Sequence, residues 1–239
     1  MELTKVLMND IFNSKGIITI TGEHNVGKSY FVANIVKQAI YDMKVVAVFS
    51  SEFTKEYMLT RLISLITDVG FTDLHKGTFE DINEINGAAG KIAKSNLHVS
   101  DNINIEEAIF SIKKLVRKLE KENKKIDLII IDSLRYLTNV RYKSIYDIFK
   151  YVHEELKEFN IPILVTYPIS NETGIPKCIR MNPTKEETKF IKYNSDIFIS
   201  MERNSYITET IKLTINHNTN KIHTIEYKFN TSTGEFIEK

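Results

Sequence analysis

Apolar residues in this chain fall into two alternating kinds of run. Short, β-branched and largely apolar runs occur at Ile17–Thr21, Val45–Ser50, Leu97–Ser100, Leu128–Asp132, Pro162–Tyr167, Asp196–Met201, Ile211–Asn216 and His223–Phe229. Such runs predict strands, several of them covered on both faces. Between them, apolar positions recur with the 3.6-residue period of a helix. Phe31, Val32, Ile35, Val36, Ala39 and Ile40 form one stripe, and Met58, Leu59, Leu62, Ile63 and Ile66 a second. Ile105, Ala108, Ile109, Ile112, Leu115, Val116 and Leu119 form the longest, and Ile145, Ile148, Phe149, Val152, Leu156 and Phe159 another. This alternation predicts an α/β protein with a mostly parallel, twisted sheet and helices on both faces. The polar turn Asn218-Thr219-Asn220-Lys221 joins the last two strands and predicts a C-terminal antiparallel hairpin. No linker-like, repetitive or low-complexity stretch interrupts the pattern, so residues 1–239 are expected to form one domain.

Composition narrows the class. Hydrophobic residues at 42% and charged residues at 26% suit a globular chain and exclude disordered, collagen-like and coiled-coil proteins. Lys+Arg 32 against Asp+Glu 31 leaves a net charge of +1, so any DNA contact must come from a local patch. The one cysteine, Cys178, excludes an internal disulfide and a cysteine-based zinc cluster, and reads as a plain loop thiol. There is no run of 18 apolar residues, and the start Met1-Glu2-Leu3-Thr4-Lys5 is not that of a signal peptide. The expected setting is the reducing cytoplasm, with no membrane partner.

Three features carry chemistry. Gly22-Glu23-His24-Asn25-Val26-Gly27-Lys28-Ser29 matches G-x-x-x-x-G-K-[ST], the phosphate-binding P-loop, between a predicted strand and a predicted helix opened by Ser29-Tyr30-Phe31-Val32. Its glycines let the backbone wrap phosphates, Lys28 supplies a point charge, the Ser29 hydroxyl can ligate Mg²⁺, and the helix dipole favours the anion. Leu128-Ile129-Ile130-Ile131-Asp132 is a buried strand ending in a carboxylate. It is expected beside the P-loop, holding Mg²⁺ through water as a Walker B aspartate does. Glu52 follows the strand Val45–Ser50, where a carboxylate could polarise an attacking water. The same glutamate, close to Thr54, equally suits a helix start. These residues together imply ATP and Mg²⁺.

With these residues in view, the chain resembles the C-terminal, RecA-like ATPase domain of DnaB-type replicative helicases. Phe49-Ser50-Ser51-Glu52-Phe53-Thr54-Lys55-Glu56 resembles that family's F-S-L-E-M-S-x-E, whose glutamate is the catalytic base. Ala88–Ala93 with Leu97–Asp101 is similar to its A-A-x-x-L-A segment and the strand after it, and Ile129–Leu134 to its I-V-I-D-Y-L. Asn160–Leu164 is similar to its N-V-P-V-I and Glu187–Asp196 to its E-S-G-A-I-E-Q-D-A-D. The resemblance covers nearly the whole chain. It implies a nucleotide-binding set of Gly22 to Tyr30, with Lys28, Glu52 and Asp132 catalytic and Ser29 and Asp132 on the metal. It further implies single-stranded DNA as partner and self-association or docking on a replication helicase.

The departures are specific. The family's phosphate-sensing glutamine falls at Pro168, which has no side-chain donor. Its late-strand K-Q-R, which reaches a neighbouring subunit's ATP, falls at Asn216-His217-Asn218. Ahead of Gly22 there are 21 residues, so the resemblance implies the ATPase domain without the family's N-terminal domain. Slow hydrolysis and weak coupling to DNA are therefore expected, and two functions stay open. One is a DnaB-like ATPase acting on DNA in replication. The other is a RecA-fold accessory module that binds nucleotide but hydrolyses it poorly. A helicase loader of the AAA+ type does not suit the segment order.

Weaker features complete the reading. The Pro168–Pro183 stretch, with Lys177 and Arg180, falls where the family has a DNA-contacting loop; an ordinary surface loop is the other reading. Arg135, Arg141 and Lys143 follow the Asp132 strand and meet either phosphate or solvent. The basic run Lys113–Lys125 reads as a solvated helix face. Only His217 and His223 are placed to approach each other, across the hairpin, with no metal expected.

Overall fold

The computed structural model describes residues 5–101, 103–134, 144–169, 184–203, 209–218 and 221–239. Helix α1 (Lys5–Asn13) leads to β1 (Ile17–Gly22), α2 (Lys28–Tyr41), β2 (Val46–Ser50), α3 (Lys55–Thr67), α4 (Phe71–Lys76), α5 (Ile82–Lys94) and β3 (Leu97–Asp101). Then come α6 (Ile105–Lys121), β4 (Leu128–Asp132), α7 (Ile145–Leu156), β5 (Ile163–Pro168), α8 (Lys185–Tyr193) and β6 (Ile197–Glu202). Strands β7 (Thr210–His217), β8 (Ile222–Phe229) and β9 (Phe236–Glu238) close the chain. The eight strands predicted from the apolar runs are β1 to β8, and every boundary agrees within one residue. The pattern missed α1, a nine-residue helix that buries only Leu7, Met8 and Ile11; α4, α5 and α8, which bury at most two residues each; and β9, which is too short to show alternation. β9 extends the predicted hairpin to a third antiparallel strand.

All nine strands form one sheet in the order β3-β2-β4-β5-β1-β6-β7-β8-β9. The first six are mutually parallel, and β6, β7, β8 and β9 pair antiparallel. The central strands are apolar throughout because each pleat faces a different core. Ile18, Ile20, Val46, Val48 and Ile130 pack with the inner stripes of α1, α2 and α3. Ile17, Ala47, Phe49, Ile129 and Ile131 pack with α6 and α7 on the opposite face. The helices thus cover both faces, as predicted.

Local signals set the helix starts. Thr54 caps α3, accepting from the Tyr57 amide at 3.3 Å. Asn104 with Glu107 and Thr184 with Glu187 form reciprocal capping boxes on α6 and α8. The predicted solvated face of α6 is present, with Lys114, Arg117, Lys118 and Lys121 exposed and Lys113 paired to Glu155 at 2.7 Å. Among the described residues no helix is long and apolar enough to cross a membrane.

Candidate nucleotide site

The carboxyl ends of β1, β5 and β6 meet around Gly22, which lies in register with Pro168 on one side and Met201 on the other. A Cβ on Gly22 would sit 2.5 Å from the Met201 carbonyl oxygen, so the tight exit from β1 requires glycine. The loop re-enters α2 at Gly27, whose φ of 111° is a conformation side chains rarely adopt. Val26 is buried and anchors the loop to the core. The Lys28 ammonium donates to the Gly22 carbonyl at 3.0 Å and the Glu23 carbonyl at 2.7 Å. The fourteen-residue helix α2 begins at Lys28, so its positive end faces the loop.

Asp132 ends β4, but β4 is not the neighbour of β1: strand β5 lies between them. The carboxylate is nevertheless at the site, because β5 contributes Thr166, whose hydroxyl donates to Asp132 Oδ1. Oδ2 is fully buried and has no hydrogen-bond partner among the described residues. Burial pushes the Asp132 carboxyl above the usual range, opposed by the Thr166 and Ser29 hydroxyls and by the charges of Arg61 and Lys28. The Ser29 hydroxyl lies near but makes no hydrogen bond of ordinary geometry to Oδ2.

A raised folded-state pKa makes Asp132 a source of instability once it ionises. The unfolded chain loses this proton first, so wild-type stability falls as pH rises from the ordinary carboxylate range through the raised value. Asp132→Asn carries no charge to bury. Its thermal midpoint should therefore rise relative to wild type between pH 4 and pH 7.5 in metal-free buffer, about neutral at the lower end. A constant difference across that range would show that Asp132 carries no buried charge.

Glu52 lies in the bend after β2, exposed at the mouth of the site. The bend is tied down on both sides. Ser51 donates its amide to the Asp132 carbonyl at 3.0 Å and its hydroxyl to the Ser133 carbonyl at 2.6 Å. Ser50 Oγ accepts from the Phe53 amide at 2.9 Å. Glu52 is therefore positioned by the Asp132 strand rather than serving as the α3 cap, which is Thr54.

A cavity of about 140 Å³ collects His24, Asn25, Gly27, Lys28, Ser29, Tyr30 and Glu52 with Phe53, Arg61 and Pro168. Asp132 lies behind this wall, 1% exposed. Gly22, Glu23 and Val26 shape the loop without lining the cavity. Arg61 is the residue sequence reasoning missed. Its signal was an arginine inside the apolar stripe of α3, beside Met58, Leu62 and Leu65, and it is 4% exposed.

Other predicted positions fall elsewhere. His217 pairs with Ile197 at the amino end of β6, so Asn216-His217-Asn218 lies at the opposite end of the sheet from the chain's own P-loop. The rings of His217 and His223 stack at 5.1 Å, and no group of three His, Cys, Asp or Glu able to hold a metal occurs among the described residues. Arg135, Arg141, Lys143, Lys177, Cys178 and Arg180 lie outside the described residues.

The strand order, glycine-rich loop and buried β4 aspartate define a RecA-like P-loop domain. Residues 7–238 match the DnaB-like helicase C terminal domain, and the chain belongs to that family. It is 28% identical over 160 residues to the replicative DNA helicase DnaB of Helicobacter pylori, covering 64% of this chain and 32% of that protein. It is 24% identical to a probable replicative DNA helicase of Trieres chinensis, covering 95% of this chain and 54% of that protein. The chain therefore spans about a third to a half of these relatives. Among solved structures, a DnaB-like replicative helicase described with its interactions with primase superposes with a TM-score of 0.77 at 17% identity, over 95% of this chain and 58% of that one. A second solved structure, of an ATPase domain, superposes with a TM-score of 0.75 at 18% identity, over 94% of this chain and 85% of that one.

Proposed function

We propose that this chain is a Mg²⁺-dependent, DnaB-like ATPase domain that acts on DNA in replication, in the cytoplasm. The observation that carries the proposal is one cavity lined by Lys28, Ser29 and Glu52 with the buried carboxylate of Asp132 behind it. The cavity is smaller than the roughly 300–1,000 Å³ of pockets that enclose whole small molecules, so it takes the phosphate end of a nucleotide. Lys28 and the amides of residues 23–29 hold the phosphates. The partnerless Asp132 Oδ2 beside Ser29 suits a hydrated cation, so Ser29 and Asp132, the latter through water, would hold Mg²⁺. When bound, that ion neutralises charge on the phosphate oxygens. Glu52 takes a proton from the water that attacks the terminal phosphorus, and ADP leaves.

Two departures favour slow turnover. Pro168 occupies the cavity wall and offers no donor to a phosphate. Asn216 and Asn218 carry no charge and lie where only another copy could use them. Such trans cations are worth about 10³–10⁵ in rate in other P-loop enzymes. The same observations support a second reading, a nucleotide-binding module that docks on a replication helicase and hydrolyses little. Turnover well below about 1 s⁻¹, little changed by single-stranded DNA, is expected from the isolated chain. ATP turnover with and without single-stranded DNA, alongside solution mass, tests this. Fast turnover from a stable hexamer would return full helicase activity to this chain, and no turnover with retained ATP binding would select the accessory module.

A further inference from the structure

Helix α6 buries its apolar stripe, Ile105, Ala108, Ile109, Ile112, Val116 and Leu119, against the sheet. Phe110 stands off that stripe, 69% exposed, and belongs to neither apolar core. Lys114, Lys118 and Lys121 follow it turn by turn, with Arg117 beside them, and all four are exposed. An open hollow of about 780 Å³ lies along this side, from Phe110 to Lys121, with the half-buried Leu115 between them. None of the four cations has an ion pair among the described residues, whereas Lys113, on the flank towards α7, meets Glu155. Lys114 with Lys118, and Arg117 with Lys121, are like charges one turn apart, which oppose the helix rather than support it. A face kept only for solubility intersperses both signs. Burial, and after it the charge of Lys118, hold the His98 imidazole below its ordinary range, so the positive field of this face reaches the edge strand β3.

A lone exposed phenylalanine needs no partner. Here it heads a row of unpaired cations, in a stripe roughly 17 Å long at about 1.5 Å per residue. We propose that this face of α6 docks an acidic amphipathic helix of a partner protein, whose carboxylates meet Lys114, Lys118 and Lys121 and whose apolar residues cover Phe110 and Leu115. Carboxylates one turn apart on a helix recur at about 5.4 Å, the same spacing as the cations, so the two rows meet one for one. The ends of the stripe select the class of partner. Glu107 is exposed before Phe110, and Glu120 and Glu122 are exposed beside Lys121. A nucleic-acid strand running past the stripe would meet carboxylates at both ends, and a net charge of +1 offers no wider basic track. A single ring would also serve only one base of such a strand. A short acidic helix ends within the stripe and uses the apolar pair as its anchor. The face shares no residue with the nucleotide cavity, so this inference stands apart from the P-loop reading.

The test is fluorescence anisotropy of the whole chain with a labelled, stapled peptide helix that carries Glu at one-turn intervals and Leu between them. The same helix with Gln, or with Lys, in place of Glu is the comparison. Wild type should bind the Glu helix at about 10–100 μM and at least tenfold more tightly than the Gln helix. Lys114→Glu combined with Lys118→Glu should lose the Glu helix by about tenfold or more and gain the Lys helix, a swap that a merely structural effect does not produce. Phe110→Ser should weaken the Glu helix about fivefold. These side chains are exposed, so thermal melts should match wild type. If the double variant melts early, Lys118→Gln decides, with a severalfold loss of the Glu helix expected. The proposal is overturned if wild type does not separate the Glu helix from the Gln helix, if the folded double variant keeps the Glu helix, or if Phe110→Ser changes nothing. It is also overturned if a single-stranded oligonucleotide or an acidic-lipid vesicle binds wild type more tightly than the Glu helix and is lost by the double variant, which gives the face to phosphate. Loss of an oligomer of the chain itself in the double variant would give the face to a second copy and overturn it likewise.

Discussion

Lys28→Ala is expected to weaken binding of both ATP and ADP by roughly 30-fold, about 2 kcal/mol, the scale of losing a charge-assisted hydrogen bond to phosphate. Lys28 is 9% exposed and its ammonium rests on the Gly22 and Glu23 carbonyls, so it is in place before any ligand arrives and little ordering opposes binding. Because Lys28 is the first residue of α2, the substitution leaves Val26 and the loop anchor intact, and thermal stability without nucleotide should change little. Calorimetry gives the affinity and a thermal melt checks the fold. Unchanged affinity in a folded variant would remove Gly22–Ser29 from nucleotide binding.

Glu52→Gln is expected to leave nucleotide affinity within a few-fold of wild type and to lower hydrolysis by about 100-fold or more. The amide keeps the size and the hydrogen bonding of the carboxylate but takes no proton. The Ser51 bonds to the backbone of Asp132 and Ser133 do not involve the Glu52 carboxylate, so the bend should persist. A single-turnover assay separates this from slow product release. Wild-type single-turnover rates in Glu52→Gln would assign water activation to another group, and parallel loss of binding would make Glu52 a ligand for the nucleotide instead.

Much of the frame was legible in the sequence because its signals are local. Strand runs such as Leu128–Asp132 are apolar on both pleats, and that follows from being covered twice. The P-loop was legible because backbone wrapping needs glycine at Gly22 and Gly27 whatever surrounds them. The helix start near Thr54 was readable for the same reason, since a side chain reaches only two or three residues along the chain, whereas the caps Asn104 and Thr184 were found only in the structure. The sequence reads Glu52 as base or as helix start; the structure gives the α3 cap to Thr54 and ties the bend that carries Glu52 to the end of β4, a contact between residues 82 apart.

Arg61 illustrates the opposite case. In the sequence it interrupts the apolar stripe of α3, and nothing local says why. Tyr30, Phe53 and Tyr57 surround it only because β1, β2 and the helices after them converge at one end of the sheet. The neighbourhood of Asp132 is of the same kind. The sequence alone suggested a strand beside the P-loop, whereas pairing order inserted β5 and brought Thr166 to the carboxylate.

The chain's own order of residues determined where β1 to β8 and the helices α2, α3, α6 and α7 lie, which loop carries the glycine-rich pattern and which carboxylates end strands, because those depend on backbone geometry and on neighbours a few residues away. Only the tertiary structure decided which strand stands between Asp132 and the P-loop, that a buried arginine faces the phosphate cavity, and that Asn216-His217-Asn218 sits at the far end of the sheet. Strand order and the direction of a late antiparallel strand are set by packing between distant segments, and the apolar pattern of a strand does not encode which neighbour it pairs with.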